Sequence, residues 1–189
     1  MKKTSLARIF ALSLALLFGA EAKAGDLWQI DPQKSLLGFS GSQSGAAFQG
    51  HFTKWQAMIA FNPADPANGH ALVTIDMNSA TTGDGSRDQA LPDTDWFDVK
   101  HFGAAQFEAK SFHALGGNAY EAEGILTIRG ISRPVVLPFS LDIEGDVAHV
   151  KGKLILTRTD YGVGQGAWSS GQLVGLEVAV LLDLSAKRQ

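Results

Sequence analysis

YEAEGILTIRGISRPVVLPFSLDI, residues 120–143, is written in period two throughout. Ala122, Gly124, Leu126 and Ile128 oppose Glu121, Glu123 and Thr127; beyond a tight turn at Gly130, Val135, Leu137, Phe139, Leu141 and Ile143 oppose Ser140 and Asp142. Successive strand side chains point to opposite faces, so this is two antiparallel strands, each with one apolar and one polar face. The pattern extends in both directions. Downstream, Gly145-Asp146 turns the chain into Val147 to Thr157, and a last strand from Gly175 to Leu184 carries Leu176, Val178, Val180 and Leu182 on one face. Upstream, Ala105, Phe107 and Ala109 oppose Gln106, Glu108 and Lys110, and Ala71, Val73, Ile75 and Met77 oppose Leu72, Thr74 and Asp76. A turn rich in Asn, Pro, Asp and Gly spans residues 62–69. Before it, Gln49 to Phe61 reads as one long strand with Trp55, Ala57, Ile59 and Phe61 on a face, Ser35 to Ser42 as a strand with Leu37 and Phe39 together, and Leu27 to Asp31 as a short strand stopped by Pro32.

Roughly eight or nine such strands must hide their apolar faces from water, which a closed barrel or a two-sheet sandwich achieves. Closure also removes exposed edges. Small residues assigned to the inner stripe, Gly38, Ala105, Ala109, Ala122, Gly124, Ala148 and Gly152, favour a barrel with room along its axis. The same glycines also suit bulges, or small residues filling space between Trp28, Trp55 and Phe139, and the pattern leaves both open.

One stretch breaks the alternation: residues 78–107, with the signals of two short helical turns. Asp84 is placed to cap a first turn that Pro92 stops, with Ser86 and Gln89 spaced as a capping box. Thr94 is placed to cap a second turn carrying Trp96, Phe97 and Val99, ended by Gly103. Pieces this short are not stable alone and must rest Trp96, Phe97 and Phe102 on the sheet, as a cap over the strands.

Lys2, Lys3 and Arg8, the apolar run Ile9 to Ala20, and Ala22-Lys23-Ala24 together read as a secretory signal cleaved after Ala24, leaving a domain of residues 25–189. The run is too short to span a bilayer comfortably. Without the leader, twelve basic residues face eighteen acidic ones, a balance of −6 that disfavours nucleic acid or an anionic membrane surface as partner. Cysteine is absent, which excludes disulfides, thiolate metal sites, a thiol nucleophile and a lipidated N-terminal cysteine. The periplasm is the expected location, with secretion as second choice.

Catalytic patterns are weak. Asp93, Asp95, Asp98 and His101 gather on one segment, but no two histidines have ligand spacing on a helix and the acidic cluster is not a calcium loop. Gly162, Gly164 and Ala167 fit the letters G-x-G-x-x-A, yet no helix follows to receive a phosphate. They read as a wide turn over a barrel end. Ser169 and Ser170 lack a nucleophile elbow. Arg158 with Asp160, and Arg87 with Asp88, read as ion pairs fixing loops in preference to head-group contacts.

Several motifs in order carry a resemblance. Trp28-Gln29-Ile30-Asp31-Pro32, the block from Thr82-Gly83 through Arg87-Asp88 to Trp96-Phe97-Asp98-Val99, Gly124 to Gly130 with Pro134-Val135, and Arg158 to Gly164 make the chain similar to the YceI-like family. The resemblance implies an extended, eight-stranded, lipocalin-like antiparallel barrel with short helical crossover segments, whose tunnel holds a long apolar chain such as a polyisoprenoid, an isoprenoid quinone or another lipid amphiphile. With the catalytic patterns weak, no enzyme and no covalent cofactor are expected. Burying one isoprene unit is worth up to about 4 kcal/mol gross, and a micromolar complex needs about 8 kcal/mol net, so a few units offset much of the cost of association.

The expected walls are Phe39, Trp55, Ile59, Val73, Ile75, Phe107, Leu126, Leu137, Phe139, Leu154 and Val178, with Trp96 and Phe97 at the cap. Three uses of such a barrel follow: carriage or storage of the chain, hand-over of a bound quinone to a membrane cytochrome partner, and sequestration of foreign apolar compounds such as antibiotics. A mouth rimmed with aromatics would also offer a homodimer surface.

Overall fold

The computed structural model describes residues 26–189, so the leader lies outside the described residues. Eleven strand segments form one antiparallel sheet: β1 Leu27–Ile30, β2 Leu36–Gln43, β3 Ala46–Phe52, β4 Trp55–Ala60, β5 His70–Asp76, β6 Ala80–Thr81, β7 Ala104–Gly116, β8 Ala119–Ile128, β9 Ile131–Glu144, β10 Val147–Thr157 and β11 Glu177–Arg188. The ladder runs β1-β4-β5-β7-β8-β9-β10-β11 and returns from β11 to β1, where Trp28 pairs with Arg188. This closes an eight-stranded barrel, and the sandwich is ruled out.

The three further segments prolong that ring instead of adding to it. β2 continues β1 beyond a 3-10 turn at Pro32–Lys34, whose start is capped by Asp31. β3 precedes β4, and β6 continues β5, so the pairing of β4 with β5 resumes as β3 with β6. The strand expected over Gln49 to Phe61 is therefore two pieces. Thr53 and Lys54 leave the ladder because the turn at Met77–Ser79 engages them: Thr53 N–H donates to Ser79 O at 3.1 Å and Lys54 N–H to Ser79 Oγ at 3.0 Å. At the other end of β3 a two-residue turn, Ser44-Gly45, has positive φ at both residues (51° and 79°), as a tight hairpin between right-twisted strands requires.

Two expectations about the last strand are corrected. β11 runs on to Arg188, since β1 pairs with its end, and Leu176 lies outside it, exposed. Gly38 belongs to the outer face, because Leu37 and Phe39 on either side of it point inward. The other small residues of the predicted stripe share strand parity with residues that line the interior.

The helical signals are half fulfilled. α1, Gly85–Ala90, is capped by Asp84, whose carboxylate accepts from Ser86 N–H and Arg87 N–H, so Asp84 does the capping that a Ser86–Gln89 box would have done. No second helix forms at Thr94. Residues 91–103 make successive turns pinned by Asp93 O, which accepts from Trp96 N–H and Asp98 N–H, and by Asp98 at φ 49°. Asp98 is buried, bonded to His101 Nδ1 at 2.8 Å and facing Arg129 at 3.9 Å. The cap is thus one loop of successive turns resting Phe97 and Val99 on the Leu37–Ile75–Met77–Ala105 cluster.

Candidate ligand cavity

The barrel interior is not filled. Toward the cap lies a cavity of about 190 Å³, and toward the opposite end a second of about 110 Å³. Val73, Phe107, Leu137 and Leu182 line both, so these four side chains form the waist between two chambers stacked along the barrel. Gly124 shapes that waist: a Cβ there would sit 2.8 Å from Cε2 of Phe107, so only glycine lets the ring lie across β8. The surface facing both chambers is apolar throughout, even where Thr82, Arg87 and Arg158 contribute to the first. Such a surface offers an apolar chain burial and gives a polar head no partner, which makes head-group burial costly.

Of the residues expected to form walls, Phe39, Val73, Ile75, Phe107, Leu126, Leu137, Leu154 and Val178 line the cap-side chamber, and Trp96 and Phe97 close it from the cap. Ile59 and Phe139 line the far chamber. Trp55 is the exception: half-buried, it packs on the Leu37–Ile75 cluster and lines neither chamber. Sequence reading missed Leu37, Phe52 and Leu182, although Leu37 shares a face with Phe39 and Leu182 with Val178. It also missed the plug at the far end, where Phe61 meets Phe112 edge-on at 5.0 Å and Tyr120 stacks on Phe139 at 5.6 Å.

Both predicted ion pairs are corrected. Arg158 is buried and faces carbonyls, not Asp160. Its Nε donates to Gly175 O (2.9 Å), Nη1 to Val163 O (2.8 Å) and Gly164 O (3.1 Å), and Nη2 to Val174 O (2.8 Å) and Trp168 O. All five N–H groups are used. The guanidinium also lies over the Trp96 ring at 5.4 Å, and Trp96 packs on Trp168, so Arg158 ties residues 162–175 to the cap. Burial pulls its pKa down. The glycine-rich turn is built around this residue, with Gly162, Gly164 and Gly166 all at positive φ.

Arg87 and Asp88 point apart. Asp88 accepts from the Thr81 hydroxyl, the Thr82 hydroxyl and Thr82 N–H, each at 2.7 Å, and those bonds, Thr81 first, hold its carboxyl below the usual range. Arg87 donates through Nε to Thr82 Oγ1 at 3.2 Å and through Nη1 to Gln43 Oε1 at 3.1 Å, and stacks over Phe48 at 5.0 Å. Among the described residues no cluster of three or more His, Asp or Glu is arranged to hold a metal ion, and no helix is long and apolar enough to cross a membrane.

A lipocalin-like barrel with a wholly apolar channel is the class that fold and site define. Residues 28–186 match the model of the YceI-like domain, and the chain belongs to that family. Among its relatives is a UPF0312 protein of Pseudomonas aeruginosa, 29% identical over 198 residues and matched over the full length of both chains. Another, from Pseudomonas savastanoi pv. phaseolicola, is 28% identical over 188 residues, 95% of this chain and 96% of the relative. Of solved structures, Burkholderia cenocepacia BcnA superposes with a TM-score of 0.81 at 32% identity, covering 84% of this chain and 99% of that one. A polyisoprenoid binding domain from Saccharophagus degradans, implicated in plant cell wall breakdown, matches with a TM-score of 0.68 at 16% identity over 87% and 99% of the two chains, and supports the fold alone.

Proposed function

We propose that the protein binds one long apolar chain, a polyisoprenoid or similar lipid amphiphile, along its channel, and carries or stores it without covalent chemistry. The observation that carries this reading is the pair of apolar chambers that share Val73, Phe107, Leu137 and Leu182 as walls. A linear chain can pass the waist end-on, whereas a compact ligand would occupy one chamber. The polyisoprenoid-binding relative supports the same reading, and the leader read in the sequence supports the periplasm as the carrier's location.

Native mass spectrometry of the exported protein, purified without detergent and followed by solvent extraction, tests it. A stoichiometric prenyl or acyl chain of defined length is the expected result. A protein of bare sequence mass that also refuses prenyl and acyl amphiphiles would overturn it.

A further inference from the structure

We propose that the apolar chain enters and leaves the cap-side chamber sideways, through a slit in the barrel wall between β9 and β10, and not past either end of the barrel. This rests on the apolar-chain reading above. Among the described residues the two strands pair only from Val147 with Glu144 to Gly152 with Phe139. Both run on beyond that point toward the cap, β9 back to Ile131 and β10 forward to Thr157, and each is held there by its other neighbour, β8 or β11. The edges that face each other, residues 131–138 and 153–157, carry no ladder.

Two prolines keep those edges apart. Leu141 N–H donates to Asn118 O on the β8 side, so odd-numbered residues of β9 aim their N–H groups at β8 and even-numbered ones at β10. Asp146 O accepts from Arg188 N–H, which likewise turns even-numbered residues of β10 toward β11 and leaves Lys153, Ile155 and Thr157 facing β9. Continued past Gly152, the register would set Pro138 against Lys153, Val136 against Ile155 and Pro134 against Thr157. Two of these three bonding pairs meet a proline, which has no N–H to give and whose ring occupies the donor's place.

The slit joins one apolar surface to another. On its inner side Leu137 of β9 and Leu154 and Leu156 of β10 line the cap-side chamber. On its outer side Val136 and Ile155 are 46% and 49% exposed, and Pro138 and Leu181 border an open groove beside them. A chain crossing here keeps apolar contact on both sides of the wall. From Pro138 to Arg133 the unpaired edge is about 17 Å long at the usual rise per strand residue. At its cap end Arg133 Nε donates across to Asp160 O at 2.8 Å, as a strap.

The other routes are obstructed. The far end is plugged by Phe61, Phe112, Tyr120 and Phe139, and the cap is tied down through Trp96 and Arg158. Parting a laddered pair of strands breaks backbone hydrogen bonds, whereas widening the slit gives up the Arg133 bond and apolar contacts that the passing chain replaces.

The chain has no cysteine, so Val136→Cys with Ile155→Cys can be linked across the slit by bismaleimidoethane and compared with the same variant capped by N-ethylmaleimide. Geranylgeraniol is the probe, with uptake and release followed by stopped flow. Linking is expected to slow both rates at least about tenfold, as a blocked gate does, and to leave the equilibrium affinity unchanged. Pro134→Val with Pro138→Val restores the two donors and should slow release in the same sense; Arg133→Met removes the strap and should speed it. Release unchanged in the linked protein or, where mass spectrometry shows that the link does not form, in the proline variant, overturns the slit while the carrier reading stands. Failure of geranylgeraniol to bind the natural protein takes down both.

Discussion

The ring of Phe107 lies across the backbone of Gly124 at the level where the two chambers of the channel meet. Phe107 is thus both a wall and a gauge. Phe107→Ala should destabilise the fold by about 3–5 kcal/mol, as large-to-small core changes do, and should merge the chambers. Chemical unfolding measures the first effect. Extraction of the bound chain measures the second: a wider or branched cargo is expected, and an unchanged cargo would mean that the waist does not select.

Gly124→Ala acts in the opposite sense. The added methyl meets Phe107, the Glu108 carbonyl and the Ala109 backbone, and the last two are backbone of the paired strand and cannot yield without bending it. Overpacking of this kind costs about 1–3 kcal/mol, and the variant should bind shorter chains than the natural protein. Titration with prenyl alcohols of increasing length tests this.

Arg158→Met leaves five carbonyls without their donor, several of them buried. A loss of at least about 3 kcal/mol is expected, which for a domain of this size lowers Tm by roughly 6–12 °C. Lysine has three donors against five acceptors and should recover only part of it. A melting curve unchanged by either substitution would show that the 162–175 turn is held by other contacts.

Asp88 links stability to acid. Its folded pKa lies below the unfolded value because Thr81 and Thr82 bond its charged form. The stabilisation is therefore fully present above the unfolded carboxylate pKa, near 3.9, and is lost as pH falls through the lower folded value. Asp88→Asn should cost about 1–3 kcal/mol at neutral pH, and the gap to the natural protein should close in strong acid. Burial raises the Tyr161 pKa, so its contribution holds below the unfolded value and is lost as pH rises through the folded one. Tyr161→Phe should accordingly flatten the alkaline limb of the same profile.

Phe97 holds the cap onto the cap-side chamber and lies 6.4 Å from the Phe52 ring. Removing an aromatic of this size forfeits about 2 kcal/mol of apolar contact. Phe97→Ala should release bound chain roughly tenfold faster or more, readable by stopped-flow displacement.

Much of this architecture is written in residues 104–157. There each strand alternates cleanly, turns carry glycine, and the register of β8 with β9 follows from the pattern itself. The wall residues were legible for the same reason, since parity alone places Leu126, Leu137 and Leu154 inside. Parity also puts Gly38 outside, between Leu37 and Phe39, and counting it as inward overlooked that. Other features had no local signature. Thr53 and Lys54 break their strand because Ser79 takes their backbone, a partner 25 residues away. Arg158 finds backbone carbonyls, and every residue has one, so no side-chain pattern announces them. The waist arises from a diagonal contact between Phe107 and Gly124 that exists only once β7 and β8 are in register.

The two stems of the cap lie side by side, because Met77 N–H bonds Gly103 O at 3.0 Å and β7 begins at the next residue. The tilt and stagger of a closed barrel are properties of the whole ring and resist piecemeal change. Beyond β6, residues 82–102 lie outside that ladder, and the length of such a segment weighs only logarithmically on closure. It is a cassette: cargo range can be rewritten by exchanging residues 82–102, with the barrel beneath keeping its register.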